Sequence, residues 1–248
     1  MSEIDRILPT RRPAGPPQGY QKWRTLLFVH WEVPAEVLRP LIPESLSIDT
    51  FDGKAYVGLV PFTMQGVRPH RALPALPFVS AFHETNVRTY VHHRGENPGV
   101  WFFSLEAASS MAVRAARTFF HLPYFRATMQ MQVTGREVAY RSERRWPEPV
   151  PATLDLAYAV GDELPASVPG TLQFFLAERY FLYAQRPKDG AMFRGQVNHK
   201  PYPLRRATVS RLDESILAAA KLPTGGARTA DLYSEGVDVE LFALSRVE

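Results

Sequence analysis

The stretch that decides the fold is "HLPYFRATMQMQVT", His121 to Thr134. From Tyr124 onward the residues alternate strictly. Phe125, Ala127, Met129, Met131 and Val133 point one way; Tyr124, Arg126, Thr128, Gln130 and Gln132 point the other. A period of two predicts a strand with one covered face. The next segment, "GREVAYRSER", reads as its hairpin partner. The segment before it, "SSMAVRAARTFFH", has helical spacing instead. Ser109 or Ser110 can cap that helix, Ala112, Val113, Ala116, Phe119 and Phe120 give it an apolar stripe, and Pro123 is expected to force its end.

Working outward, the same two patterns recur. "WRTLLFVHWEV" reads as a buried strand. Pro34 opens a short helix that Pro40 and Pro43 end. "SIDTFDGKAYVGLVPFTMQGV" reads as two strands joined at the Asp52-Gly53 turn. In "AFHETNVRTYVHH", Phe82, Glu84, Asn86, Arg88 and Tyr90 share one face. "GVWFFSLEAA" is apolar on both faces, as a central strand is. A strand is expected near Leu154 to Val160, a helix near Thr171 to Ala177, and strands near Tyr180 to Gln185 and Met192 to Val197. "VDVELFALSRV" closes the chain as a strand. Many strands with few short helices predict an α+β, mainly β, barrel-like fold. The Pro/Gly-rich residues 1–19 read as an extended arm, and residues 20–248 as a single domain.

Composition narrows the function. The 248 residues are 45% hydrophobic, enough for a sizeable core. Cysteine is absent, which removes disulfides, thiolate catalysis and Cys-based zinc sites. The 29 cations include only five lysines, and no basic run is present, so nucleic-acid binding is not expected. No membrane-spanning run or signal peptide is visible, so a cytoplasmic protein is expected. No phosphate-binding Gly loop, "HExxH" or "GxSxG" occurs, and His92 and His93 point to opposite faces of a strand. No metal or cofactor is expected.

Several segments carry a likeness, in order along the chain from Trp23 to Leu204. "FVHWEVPAEVLRPLIPESLSIDTFDGKAYVGLVPFTMQGVR", "FHETNVRTYV", "GVWFFSLEA", "LPYFRATM" and "NHKPYPLRRA" resemble the YqjF-like family of uncharacterised bacterial proteins. That family looks like a branch of the acetoacetate decarboxylase-like superfamily. The resemblance implies a closed, cone-like antiparallel β-barrel with an internal cavity. In the decarboxylases a Gly-Phe-Pro-Lys-Lys segment follows a helix and supplies the Schiff-base lysine. "HLPYF" is the corresponding stretch, and the lysine pair falls at Tyr124 and Phe125. A glutamate lining the decarboxylase cavity is matched by Glu84.

Schiff-base chemistry needs a lysine made neutral by desolvation or by a neighbouring cation. None of Lys22, Lys54, Lys188, Lys200 and Lys221 adjoins another. The face of Glu84, Asn86 and Arg88 has two readings: a cavity wall that orients a polar ligand head, or a solvated sheet face with a Glu–Arg pair. Tyr124 can polarise a ligand carbonyl or simply pack beside Pro123. The remaining candidate ligand contacts are Phe125, His30 and His199. His30 on an apolar face also fits a structural role. Arg114, Arg117 and His121 make one helix stripe, an anion site or a solvated face. The expected function is binding of a small carbonyl- or carboxylate-bearing molecule without a Schiff-base lysine. The alternatives are a lyase or isomerase using Glu84 and Tyr124, and a non-catalytic protein-interaction module. An exposed edge strand would allow a homo-oligomer.

Overall fold

The computed structural model describes residues 4–75, 80–147, 151–224, 226–229 and 231–247. The first three residues of the arm and the centre of "WPEPVPA" lie outside the described residues. The strands are β1 (Gly19–Val33), β2 (Ser47–Ile48), β3 (Ala55–Arg68), β4 (Ala81–His93), β5 (Glu96–Ala107), β6 (Tyr124–Thr134), β7 (Glu137–Trp146), β8 (Thr153–Glu163), β9 (Phe181–Gln185), β10 (Met192–Asn198), β11 (Leu204–Glu214), β12 (Leu232–Leu241) and β13 (Ser245–Arg246). Short helices α1 (Ala35–Leu38), α2 (Ser110–Phe119), α3 (Leu172–Ala177) and α4 (Ile216–Ala219) interrupt them. No described helix is long and apolar enough to cross a membrane.

The sheet closes on itself twice. One ring runs β4-β3-β1-β12-β11-β8-β7-β6-β5 and back to β4. A second replaces β11-β8-β7-β6 with the β10-β9 ribbon, because β12 also pairs with β10 and β5 also pairs with β9. The closure is uneven rather than a regular cone. Most pairings are antiparallel, but β5 runs parallel to β6 and to β9. The β6 pairing follows from α2, whose crossover returns the chain in the starting direction. The β9 pairing depends on Gly99, where a Cβ would lie 2.6 Å from the Phe181 carbonyl oxygen.

The two rings share the wall β12-β1-β3-β4-β5, so this wall is buried on both faces. Its middle strands accordingly carry apolar runs, Leu26–Val29 of β1 and Ala55–Val60 of β3, while most of the wall's buried polar residues fall on β4. On one face, Leu27, Val29, Val57, Leu59, Val87 and Val91 enter the large core with Tyr140, Leu156 and Tyr158. On the other, Leu26, Phe28, Val60, Phe62, Met64 and Phe82 form a second cluster. Burying each such side chain contributes roughly 1.5–3 kcal/mol. Pro61 sits inside β3 without an N–H to donate. It falls where the β1–β3 register breaks between Arg24/Thr63 and Val29/Leu59, an irregularity that tolerates it.

The hairpin of β6 and β7 forms as its alternation predicts. So do the strand near Leu154, the helix near Thr171 with Thr171 as its cap, and β9 and β10. Other elements differ. Asp52 and Gly53 do make a tight turn, closed by a Phe51–Lys54 bridge, but β2 pairs with β4 rather than β3. Pro40 lies within a 3-10 turn instead of ending the first helix. α2 stops at Phe119, ahead of Pro123, because His121 takes a left-handed φ of 56°. Only Val113 of its expected stripe is fully buried; Phe119 is 70% exposed. The closing segment divides into β12, starting at Leu232, and a separate β13. The arm lies along β10, where Gln196 Nε2 donates to the carbonyls of Pro9 and Arg11.

Candidate functional site

Between the second face of the shared wall, the β9–β10 ribbon and α2 lies a cavity of about 410 Å³. Its sides are hydrocarbon: Leu26, Phe28, Phe62, Phe82, Phe102 and Leu105 all line it. α2 turns Met111, Ala112, Ala115 and Ala116 toward it, and Phe120 lies just beyond. Met111 and Phe120 are also solvent-exposed, so this edge is the mouth.

The polar groups cluster on β4 and at its neighbours. Glu84, Asn86 and Arg88 lie two residues apart along the strand, which puts all three on the cavity face. Tyr124, at the start of β6, donates its hydroxyl to Glu84 Oε2 at 3.0 Å. Glu84 is buried without a cationic partner, and desolvation lifts its carboxyl to about 8. At neutral pH it is therefore mostly protonated and can itself donate. Burial and the adjoining carboxyl push the Tyr124 phenol well above its ordinary value.

Arg88 differs from most buried arginines. It donates from Nη2 to the Leu176 carbonyl at 3.0 Å and lies over the rings of Phe28 and Tyr90. It faces no carboxylate among the described residues, and its Nε and Asn86 Oδ1 have no hydrogen-bond partner there. Arg179 lines the same cavity but is neutralised by Asp49 at 2.8 Å. Both guanidiniums cap the end of α3: Arg179 Nε donates to the Phe175 carbonyl, next to the Leu176 carbonyl that Arg88 and Tyr90 share.

Among the expected site residues, Glu84, Asn86, Arg88 and Tyr124 are thus brought together. The other three stand outside the lining. Phe125 points away from Tyr124, as adjacent strand residues must, and packs with its ring 3.6 Å from the Arg144 guanidinium carbon. His30 lies on the cavity face of β1 but beyond the lining, Nε2 against the Tyr90 hydroxyl at 2.6 Å, and burial holds its pKa well below the ordinary value. Gly58 makes room for it, since a Cβ there would lie 2.8 Å from His30 Nε2. His199 stacks on Tyr180 at 4.4 Å and approaches Tyr202 at 4.7 Å; burial takes it down to about 4. It supports two lining tyrosines without lining the cavity. Arg179 and Tyr202 come from connecting segments with no period, and Tyr180, expected to begin a strand, sits just before β9, so no local pattern places any of the three at the site. No lysine is among the described lining residues.

A family model of uncharacterized conserved proteins, DUF2071, matches residues 20–238. The chain belongs to the DUF2071 family. The uncharacterized protein YqjF of Bacillus subtilis is 39% identical over 192 residues, covering 75% of each chain. At fold level this DUF2071 chain is similar to the enduracididine biosynthesis enzyme MppR in complex with pyruvate (TM-score 0.63, 10% identity, 96% and 93% of the two chains). It is also similar to an acetoacetate decarboxylase (TM-score 0.62, 14% identity, 95% and 90%). An acetoacetate decarboxylase-like enzyme from Sphingomonas wittichii gives a TM-score of 0.62 at 12% identity, over 94% of both chains. DUF2071 in this chain therefore has an acetoacetate decarboxylase-like fold.

Proposed function

We propose that this protein binds a small organic anion, carboxylate-bearing with an apolar body, in the β4 cavity. The observation that carries this is Arg88. A buried guanidinium facing no carboxylate is costly unless something pairs with it. A ligand carboxylate on Arg88 would make charge-assisted hydrogen bonds worth roughly 1.5–3 kcal/mol each. Protonated Glu84, held at Oε2 by the Tyr124 hydroxyl, then supplies a neutral donor along the same wall, and Asn86 an amide. Because Glu84 is mostly uncharged near neutral pH, it does not repel the anion. The fold neighbour MppR is complexed with pyruvate, a small carboxylate, which supports a carboxylate as the ligand's head.

The absence of lysine from the described lining supports binding without a Schiff base. Incubation with acetoacetate and borohydride should leave the protein mass unchanged; a stable adduct would overturn that part. A thermal-shift comparison of carboxylic acids with their neutral amides tests the anion site. Acids should raise the Tm and amides should not, and Arg88→Gln should weaken the acid response tenfold or more. If acids and amides behave alike, the anion reading fails.

A second reading, a lyase or isomerase, rests on Glu84 itself. A carboxyl held at about 8 can give and take protons near neutral pH, as general acid–base catalysis needs. Any acid that binds should then be turned over, with Glu84→Gln stopping turnover while leaving binding in place.

A further inference from the structure

We infer that the ligand is a monocarboxylate with a long or aryl hydrocarbon body, filling the chamber from Arg88 to the mouth at α2, and not a short keto acid. This rests on the anion site above and adds the size and nature of the body attached to the carboxylate. Two observations carry it. The first is volume. At roughly 30 Å³ per water-sized group, the cavity of about 410 Å³ holds about fourteen non-hydrogen atoms. Pyruvate or acetoacetate would fill roughly half of that and leave the rest as a void beside aromatic rings. Such voids forfeit dispersion contacts on every lining atom.

The second is the way α2 faces the chamber. A helix that covers a sheet ordinarily sends large apolar side chains into it. Here the cavity-facing positions include Ala112, Ala115 and Ala116, while Val113 does the packing. The alanines keep open the space that larger side chains would close. Beyond them Met111 and Phe120 are exposed at the rim, placed to cover the far end of an apolar chain. The charged and donor side chains lie along one wall, with Arg88 farthest from α2 and Glu84 and Tyr124 nearer to it, while the rest of the lining is hydrocarbon apart from Gln21 and Gln196 and the tyrosines at Tyr180 and Tyr202.

The test is calorimetric titration with straight-chain monocarboxylates from butanoate to hexadecanoate, below their micelle concentrations. Affinity should rise roughly fourfold per methylene and level off near twelve carbons. Ala116→Trp, which places an indole in the chamber, should move the plateau to shorter chains. Ala112→Leu on the same face offers a smaller block and should move it less. Affinity that does not depend on chain length, or a plateau unmoved by both variants, overturns this inference while leaving the anion site standing. Failure of every acid to bind, at any length, removes both.

Discussion

Glu84 is a carboxyl that the fold keeps from ionising. In the unfolded chain it titrates near 4.5; in the folded protein it titrates at about 8. Between those values the folded state holds a proton that the unfolded state has lost. Stability must therefore fall as pH rises through this window. The contribution of the protonated form is complete below 4.5 and gone above about 8. Glu84→Gln cannot ionise, so its Tm relative to wild type should rise by about 5 °C or more between pH 5 and pH 8.5. Scanning calorimetry at both pH values measures this, and a constant difference between the two proteins would refute it. Tyr124 works in the opposite direction to burial, since its hydroxyl stabilises the carboxylate. Tyr124→Phe should push the Glu84 carboxyl still higher, which a ¹³C-carboxyl NMR titration reads directly. A fall would mean that the 3.0 Å contact does not stabilise the carboxylate.

At the scale of elements, α2 meets the core through one fully buried residue, Val113. The Ser109 hydroxyl accepts from Ala112 N and fixes its start. Ser109→Ala should cost about 1 kcal/mol and speed amide exchange selectively across residues 110–119. Unchanged protection there would show that the cap does not hold the helix. Much of the framework around α2 was legible because a period of two or of 3.6 is a local signal. That is why β4, with Glu84, Asn86 and Arg88 on one face, and the β6–β7 hairpin follow from the residues alone, while alternation leaves open whether that face meets a cavity or solvent, and only the family resemblance favours the cavity. Alternation also settles Tyr124 against Phe125: neighbours on one strand cannot both face the chamber. β11 was not legible, because Arg205, Arg206 and Arg211 interrupt both of its faces. Nor was the second closure, since the pairings of β9 with β5 and β10 with β12 leave no trace in either partner's local pattern. Arg179, Tyr180 and Tyr202 reach the site only through those long-range pairings.

At the scale of the whole molecule, Asp49 joins parts of the chain that are far apart in sequence. It accepts from Arg179 at 2.8 Å and from Arg6 of the arm at 2.5 Å, and Phe175 lies against both guanidiniums. Arg179 is buried, and desolvation depresses its pKa, so Asp49 is what makes its charge tolerable there. Asp49→Asn leaves that cation facing no carboxylate among the described residues and should cost roughly 3–5 kcal/mol. Arg6 is partly exposed, and Arg6→Ala should cost about 1 kcal/mol or less. The double variant should lose less than the sum of the two, because Arg6 has nothing to pair with once Asp49 is neutral. Urea unfolding of the four proteins measures all three values; equal single costs, or strict additivity, would rule out the shared network. The same change alters the cavity, since Arg179 lines it beside Arg88. Freed of Asp49, it adds a second unpaired cation to the chamber. A bound monocarboxylate should then raise the Tm of the Asp49→Asn protein more than that of wild type. A smaller rise would place the ligand's charge away from the two arginines.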